Sequence, residues 1–554
     1  MQARSEMSVR TELDQIALGK LSELAPSAQM IAACFCGPAV YGKPGSCSGQ
    51  DVMVVCEEYS QGLRAYLSVA NGNETRYLLV DKSLMESDVR KGALGDFLTE
   101  KLLYPYRPLA KEEDLNELKI IAGTRVVKEE VRDLVLEYGE MCRGFVAKPE
   151  FFGLSWMRKR ARAFIASMDE YLILVDPEVR TQNVLALRNF FRTAITTMRG
   201  DAVELENDNV TIADSIVDRW LKHRSSERVV DILTQSQRAF YSYLSRGRSI
   251  YLNLDLLGRE LFSPLRLTFR HGLAHREPED PKNYLYLRTS EGLVSLNERS
   301  SLEEVISNLR PSRPITIAPL AGVLNEVFLV TIGKERFVAK KFTDWHGFKW
   351  FTLNLVSFGS KYFAVSGKSR MTNEYGINRF LARHGLKVPQ IIHVSLKQRI
   401  LVENYVPGTP LDEFITQAVS QSALTKNQYQ LAESFGEALA SIHNIRVSVG
   451  DSKPENFVAK ANAVYAIDLE QARRGGDYAW DVAELLFYAG HYSTTPTFAG
   501  GLSEAIEAFI RGYARKRSVS DLKRAAGVRY AKVFSLWTPA PIILGISKML
   551  REAR

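Results

Sequence analysis

A block of polar residues near the C-terminal end constrains the fold of this chain more than any other feature. Gly450 and Asp451 are followed by Asn456, and Asp468 comes after the short apolar stretch VAKANAVYAI. Short apolar stretches of strand length on either side of a turn are typical of β-hairpins. We therefore predict that the chain reverses here and brings Asp468 back beside Asp451 and Asn456.

Phosphoryl transfer requires the groups that this block provides. The reaction needs an acidic group that orients the acceptor hydroxyl, oxygen ligands for Mg²⁺ and a cation on the phosphates. Asp451 suits the first role, and Asn456 and Asp468 suit the second because Mg²⁺ prefers oxygen ligands. We predict Asp451 and Lys453 as catalytic residues, with Lys453 on the transferred phosphate, and Asn456 and Asp468 as metal ligands.

The pattern GDxKPxN followed by IDLE resembles the catalytic loop and metal-binding segment of the protein-kinase-like superfamily. The resemblance covers about residues 315 to 554. It is strongest to the compact atypical branch, which includes the archaeal kinases associated with the tRNA threonylcarbamoylation complex, the RIO kinases and the aminoglycoside phosphotransferases. It implies a bilobal domain that uses ATP and Mg²⁺, with an N-lobe over residues 315–403 and a C-lobe over residues 408–554.

The resemblance places the nucleotide-binding parts upstream of this block. Gly322 and Asn325 precede a predicted strand, where a turn that covers the phosphates is expected. The strand ending VAKKF offers Lys340 or Lys341 as the phosphate-binding lysine; the two face opposite sides of a strand, and we favour Lys340. Glu374, on an amphipathic helical pattern, is the expected ion-pair partner of that lysine.

Two further segments fit the same resemblance. The stretch RILVENYVPGTPL is interpreted as a strand that runs into a hinge, so backbone groups around Glu403 and Tyr405 would contact an adenine. Asp481 lies in an apolar helical pattern, where the superfamily has an aspartate that braces the catalytic loop. The sequence departs from the typical pattern at Val449, two residues before Asp451, where a histidine is usual.

The rest of the chain indicates an α+β multidomain protein. The linker NLRPSRPITI contains two prolines after a helical pattern, and it predicts a boundary near residue 311. Residues 1–105 contain apolar runs of strand length bounded by Gly, Ser and Asn, and residues 106–310 have mainly helical periodicity. We therefore predict three parts, a mixed α/β domain, a mainly helical region over residues 106–310 and the kinase-like domain over residues 311–554.

The first part resembles a degenerate nucleotidyltransferase core. Gly37 and Gly42 precede Asp51 on an apolar strand, and Asp81 ends a later strand. Such enzymes clamp two metal ions with several carboxylates. Here Pro38 stands where a serine is usual, and Asp51 has no second carboxylate beside it. The resemblance therefore implies a domain that binds a nucleotide or RNA more readily than one that transfers a nucleotide.

The amino-acid composition indicates the cellular environment of the protein and the kinds of partner that it could bind. The five cysteines are few and odd in number, which favours a reducing, cytoplasmic environment, and no apolar run is long enough to predict a membrane span. The net charge of +8 permits an RNA partner. Residues 340–370 contain six Lys or Arg and eight aromatic residues, a mixture that either tracks a nucleic acid or packs as a hydrophobic flap.

These observations predict an ATP-dependent phosphotransferase. We expect an atypical Ser/Thr protein kinase that transfers the γ-phosphate of Mg-ATP to a hydroxyl of a protein, including the chain itself. One alternative is a small-molecule kinase of the aminoglycoside or choline type, for which an acidic pocket beside Asp451 would be expected. Another is a scaffold that binds nucleotide or tRNA without turnover, which the missing carboxylate near Asp51 would favour.

Overall fold

The computed structural model describes most of the chain, in two units. The described residues are 19, 29–43, 49–70, 73–163, 165–198, 202–222, 241, 279–311, 313–320, 325–344, 366–461, 463–493, 498 and 500–554. The first unit consists of residues 1–136 and 146–285, and the second of residues 137–145 and 286–554. The domain boundaries given above remain predictions. Gly322 and most of the basic, aromatic segment lie outside the described residues.

The first unit begins with a five-stranded mixed sheet. Its strand order is β3-β4-β2-β1-β5, with β2 and β4 parallel and the other neighbours antiparallel. The apolar runs predicted as strands form this sheet, and their alternate side chains, including Ala33, Phe35, Val52 and Val54, build a buried cluster. The strands are β1 (Gln29–Cys36), β2 (Gly49–Glu57), β3 (Leu63–Ala70), β4 (Asn73–Asp81) and β5 (Arg107–Ala110).

Helices and a small sheet make up the rest of the first unit. Where the structure describes the predicted helical region, the periodicity is confirmed, above all by the 27-residue helix α4 (Glu112–Tyr138). The helices are α1 (Pro38–Tyr41), α2 (Lys82–Lys91), α3 (Phe97–Leu103), α4 (Glu112–Tyr138), α5 (Glu150–Ala163), α6 (Ile165–Leu174), α7 (Arg180–Thr197) and α8 (Asp214–Lys222). The strands β6 (Phe145–Ala147), β7 (Val203–Glu206) and β8 (Asn209–Ile212) pair antiparallel in the order β6-β8-β7.

The second unit carries a five-stranded antiparallel sheet that holds the predicted lysine. Its order is β11-β12-β13-β15-β14. Alternation places Val330, Phe337, Ala339 and Val402 in a buried cluster on one face. The elements up to this sheet's last strand are β9 (Leu285–Arg288), β10 (Leu293–Ser295), α9 (Leu302–Leu309), β11 (Ile315–Leu320), β12 (Glu326–Ile332), β13 (Glu335–Lys341), α10 (Gly367–Arg383), β14 (Ile391–Ser395) and β15 (Ile400–Asn404).

Helices dominate the remainder of the second unit and enclose a large apolar cluster. Helices α12 (Lys426–Asn444) and α14 (Gly500–Lys516) pack so closely that a Cβ atom at Gly436 would collide with the backbone oxygen of Phe509. The elements are β16 (Thr409–Pro410), α11 (Leu411–Val419), α12 (Lys426–Asn444), β17 (Val447–Ser448), β18 (Phe457–Lys460), β19 (Ala463–Ala466), β20 (Arg473–Arg474), α13 (Tyr478–Ala489), α14 (Gly500–Lys516), α15 (Ser520–Ala525), α16 (Val528–Phe534) and α17 (Ala540–Glu552). Within the described ranges, none of the helices combines the length and apolar character needed to span a bilayer.

Candidate active site

Of the two candidate lysines on β13, Lys340 forms a buried ion pair with Glu374. Its Nζ donates to Oε1 of Glu374 on α10 at 2.9 Å, and both side chains are buried. Lys341 points to the other side of the strand, where it is half-exposed and pairs with Glu326 at 3.1 Å. The alternation of a strand therefore decides between the two lysines. The role of Lys340 toward a nucleotide remains a prediction.

Two more carboxylates lie close to the ammonium group of Lys340. Asp468 Oδ1 is 3.6 Å away and Glu403 Oε2 is 3.7 Å away. Burial alone would lower the pKa of Lys340, but the negative charges outweigh it and hold that pKa well above its usual value. Burial raises the pKa of both Glu374 and Glu403, and Lys340 opposes that rise. The lysine thus stays charged at neutral pH.

Helix α10, which carries Glu374, is held by the 3-10 turn Gly139–Gly144 of the same unit. The Tyr375 hydroxyl lies 3.3 Å from the Gly144 carbonyl and donates to the Arg288 carbonyl at 2.8 Å. A Cβ atom at Gly376 would collide with the backbone of this turn. The close packing fixes the helix at the position from which Glu374 reaches Lys340.

The loop that carries Asp451 is anchored from below by Asp481 on α13. The two carboxylate oxygens of Asp481 accept from the backbone N–H groups of Val449 at 2.7 Å and Gly450 at 2.9 Å. Gly450 has φ +84°, and any side chain there would strike the Gln471 carbonyl. The predicted bracing role of Asp481 is confirmed.

Two residues that support this loop escaped the sequence analysis. His443 is fully buried and lies 3.1 Å from Asp481 and 2.7 Å from the Tyr513 hydroxyl. His443, on α12, thus contacts the aspartate that anchors the loop. Glu484, one turn after Asp481, accepts from the Ser452 backbone at 2.8 Å. Glu484 could have been found from its position three residues after Asp481 in the same apolar helix. No pattern in the sequence pointed to His443.

The predicted hairpin is confirmed, and it brings the metal-binding candidates together. Strands β18 and β19 pair from Phe457 to Ala466, and the N–H of Ile467 donates to the Asn456 carbonyl at 2.9 Å. Asn456 Nδ2 donates to the Asp451 carbonyl at 2.7 Å. Asp468 follows with φ +58°, a strained conformation of the kind found at functional sites. Asp451, Asn456 and Asp468 are thus brought into one place.

Lys453 lies beside Asp451. Its Nζ is 3.1 Å from Asp451 Oδ1, and the negative charge of Asp451 raises the pKa of Lys453 despite partial burial. The lysine is therefore a fixed positive charge next to the candidate base, which is the position that a phosphate-binding group needs.

The oxygen atoms of this cluster fit a hard cation. Asp468 Oδ1 is buried and has no hydrogen-bond partner, although the side chain as a whole is 38% exposed. Asn456 uses its amide nitrogen in the bond to Asp451, so its oxygen is the group offered to a ligand. A carboxylate and an amide oxygen suit Mg²⁺, which keeps few protein ligands. No cluster of three His, Cys, Asp or Glu side chains that could hold a metal occurs in the described part of the chain.

A third group of contacts ties the segment after Asp468 to α10. Glu470 accepts from the buried Arg370 at 3.0 Å and from Asn325 at 2.7 Å, while its carbonyl accepts from Asn373 at 3.2 Å. Arg370 also donates to Asn325 Oδ1 at 2.6 Å. The sequence analysis missed the contact between Arg370 and Glu470, although Glu470 belongs to the IDLE motif. The phosphate-covering role of Asn325 remains a prediction.

The hinge residues sit where the strand β15 ends. The Glu403 side chain faces inward to Lys340, whereas the Tyr405 N–H continues the sheet and donates to the Arg336 carbonyl at 3.0 Å. The N–H of Asn404 donates to the Gln390 carbonyl at 2.9 Å. The nucleotide contacts of Glu403 and Tyr405 remain predictions.

The candidate site of the first unit is arranged differently. Asp51 accepts from Arg76 through both oxygens, at 3.0 and 2.6 Å. Asp81, expected to join Asp51, is instead the N-cap of α2 and accepts from the backbone of Ser83 and Tyr59. Parallel pairing sets Asp51 opposite Arg76 and Asp81 opposite Cys56. Asp51 and Asp81 are therefore five residues apart along the strand direction, or roughly 17 Å. The expectation that these two aspartates share a site is wrong.

Comparison with known proteins bears on the second unit. Residues 316–461 match the phosphotransferase enzyme family known as APH. The matched residues include Lys340, Glu374, Asp451 and Asn456, and they end before Asp468. The match and the geometry together support a kinase-like phosphotransferase domain, which implies ATP as the phosphate donor.

One relative and two solved structures are similar to this chain. The relative is the KEOPS complex subunit Bud32 of Pyrococcus abyssi (strain GE5 / Orsay), 23% identical over 166 residues, which cover 29% of this chain and 73% of that protein. A structure of WaaP in complex with acyl carrier protein aligns with 44% of this chain and 92% of its own at 13% identity and a TM-score of 0.27. A microcompartment-associated aminopropanol kinase aligns with 43% and 88% at 12% identity and the same TM-score.

Proposed function

We propose that the second unit transfers the γ-phosphate of ATP to a hydroxyl group. The observation that carries the proposal is the single connected site in which Lys340 contacts both Glu374 and Asp468, while Asp468 follows the residue bonded to Asn456. Lys340 would bind the α and β phosphates and Asp451 would take the proton of the acceptor. Lys340 is held by its buried pair with Glu374, and the loop of Asp451 is held by Asp481, so both groups are positioned before substrate arrives.

The residues of this chain have distinct tasks in the transfer. Asp451 lies on the loop that Asp481 anchors. It orients the acceptor hydroxyl and removes its proton as the new bond forms. Lys453 would place positive charge on the transferred phosphate. Asn456 and Asp468 would hold Mg²⁺, which neutralises phosphate charge when bound. The fixed positive charge of Lys340 stabilises the charge that develops on the phosphates.

The acceptor that we propose is a Ser or Thr hydroxyl of a protein, including this chain. The chain between Leu469 and Asp481 is short and is tied down by the β17–β20 pairing and by Glu470. A site without a long covering segment leaves Asp451 open to a side chain presented by another molecule.

A second candidate acceptor is a cationic small molecule. It is favoured by Glu455, which follows the candidate catalytic residues on the same loop and accepts from the Tyr492 hydroxyl at 2.6 Å. The pKa of Tyr492 is raised first by burial, then by Glu455 and then by Asp412, so Asp412 lies near the same hydroxyl. Acidic groups near the base would attract an amine-bearing alcohol.

The test is incubation of the purified full chain with Mg²⁺ and γ-labelled ATP, alone, with a protein mixture, and with an aminoglycoside or choline. Asp468→Ala is the inactive variant, and Glu507→Gln, which removes an exposed carboxylate of the same unit, is the matched control. Label on protein in the wild type and the control alone supports the proposal. Label on the small alcohol selects the second acceptor. Nucleotide binding or tRNA retention without any label would leave a scaffold and reject phosphoryl transfer.

A further inference from the structure

A separate cavity of about 560 Å³ lies behind the hinge of the second unit. Its walls come from the end of α10, the loop that follows it, the hinge residues Asn404–Val406 and the β18–β19 hairpin. Of the residues predicted for the active site, Tyr405 of the hinge lines the cavity, whereas Lys340, Glu374, Asp451, Asn456 and Asp468 do not. The cavity therefore shares the hinge with the candidate active site but not its charged residues, and its size is typical of small-molecule sites.

The charge of the lining has one sign. Arg379, Lys387 and Lys460 all line the cavity, and none of the lining residues is Asp or Glu. Three positive side chains at one concave surface attract anions and raise their local concentration. The cavity is thus suited to a ligand with more than one negative charge.

Arg379 gives this cavity a second, independent feature. Its Nε atom is buried without a hydrogen-bond partner, and in the described part of the chain its guanidinium has no acidic partner. The pKa of Arg379 is lowered by burial and further by the nearby Arg383 and Arg288. Removing a cation from water without a counter-charge is unfavourable. A bound anion would supply the missing counter-charge.

The neutral groups of the wall are held in place. Asn378 Nδ2 donates to the Pro389 carbonyl at 2.9 Å, and Asn404 Nδ2 donates to Gln390 Oε1 at 3.0 Å. The Tyr405 ring is covered by the guanidinium of Arg336 at 4.2 Å. Fixed walls allow a ligand to bind without ordering the protein first.

We propose that this cavity binds a small phosphate-bearing polyanion through Arg379, Lys387 and Lys460. The planar fork of arginine matches phosphate oxygens, and the two lysines add point charges that tolerate different chain lengths. The shared chemistry is two or more linked phosphate groups, whether in free pyrophosphate or in a nucleotide. This site does not depend on phosphoryl transfer by Asp451.

The test is isothermal titration of the full chain with pyrophosphate, inorganic phosphate and ADP at low salt without Mg²⁺. Arg379→Gln and Lys387→Gln should each weaken pyrophosphate binding, by about tenfold for Arg379→Gln, because each change removes a charged hydrogen-bond donor from the anion. Lys426→Gln, an exposed lysine outside the cavity, is the matched control and should bind as the wild type. ADP binding that Arg379→Gln weakens and Lys340→Met does not would identify a nucleotide as the source of the phosphates.

Two further variants keep the result decisive. Lys340→Met removes the cation of the active site and should leave the cavity's pyrophosphate affinity unchanged. Pyrophosphate should raise the thermal midpoint of the wild type and of Arg379→Lys more than that of Arg379→Gln, and Arg379→Gln should fold without the anion. The proposal is overturned if the affinity follows Lys340, or if Arg379→Gln folds and binds pyrophosphate as the wild type does.

Discussion

Asp468 in the second unit and Asp51 in the first are both aspartates that the sequence offers as metal ligands, and their surroundings differ. Asp468 has one oxygen without a hydrogen bond, and the Lys340 ammonium lies 3.6 Å from that oxygen. Asp51 has both oxygens committed to Arg76. A carboxylate already neutralised by a bidentate arginine has less to offer a metal ion. An acidic residue in a motif is therefore a weaker indication of a metal site than a carboxylate oxygen that has no hydrogen-bond partner in the folded protein.

The same contrast extends to the partners of each aspartate. Asp468 is joined by Asn456 because a two-strand hairpin closes next to it. Asp51 is separated from Asp81 because β2 and β4 run parallel and in register. A hairpin brings the ends of a short segment together, whereas parallel pairing keeps equal positions level and unequal positions apart. The four predictions that follow test this contrast.

The largest effect is expected from the two aspartates themselves. Asp468→Asn should reduce label transfer by at least about a thousandfold, because a metal ligand contributes several kcal/mol to the transition state. Asp51→Asn should leave transfer within about twofold of the wild type, since Arg76 already neutralises Asp51. The measurement is the initial rate of phosphoryl transfer from labelled ATP. A comparable loss in Asp51→Asn would remove the contrast.

A smaller loss is expected from the inner lysine. Lys340→Met should lower the transfer rate by roughly a hundredfold, because it deletes a preorganised charge on the phosphates. Lys341→Met is the matched variant on the next residue of β13, and it should cost little because Lys341 pairs with Glu326 at the surface. Rates at saturating ATP separate the two. If Lys341→Met were the more damaging change, the assignment from strand alternation would be wrong.

Asp481 supports the second unit's site indirectly. Asp481→Asn replaces one acceptor of a backbone N–H by a donor, so we expect a loss of about 2–3 kcal/mol in the free energy of unfolding. The transfer rate should also fall, by about tenfold, because the loop of Asp451 is released. Urea denaturation and initial rates measure both. Glu507→Gln serves as the surface control, and an Asp481→Asn protein with unchanged stability would contradict the anchoring role.

The smallest effect concerns the neutralised aspartate. Burial would raise the pKa of Asp51, but Arg76 and Lys101 outweigh it, and the pKa is lowered. A lowered folded-state pKa stabilises the fold above about pH 4, where the unfolded aspartate also ionises, and that stabilisation is lost as the pH falls further. Arg76→Met should therefore cost about 1 kcal/mol at pH 7 and less at pH 3.

The comparison uses thermal unfolding of wild type and Arg76→Met at both pH values. Glu57→Gln, which breaks an exposed pair with Lys82 in the same unit, should cost less than Arg76→Met at pH 7. An equal cost of Arg76→Met at both pH values would mean that the pair with Asp51 does not carry the effect.

Much of the second unit's site could be predicted from order and alternation along the chain. The hairpin before Asp468 and the bracing by Asp481 both follow local patterns, and both are confirmed. The clamp of Arg370 on Glu470 was not predictable, because its two residues are a hundred positions apart and a buried arginine has no periodic signal. The histidine beside Asp481 was missed for the same reason.

The sequence by itself determined the elements of this protein and the polar residues that an element or a short turn brings together. Period-2 alternation set the strands, and a few residues of turn set the return of Asp468 to Asn456. Only the tertiary structure decided which distant groups meet. Parallel register parted Asp51 from Asp81, and packing set Lys340 among three carboxylates. The physical reason is that local periodicity fixes which face a side chain takes, whereas strand register and helix docking fix what that face contacts.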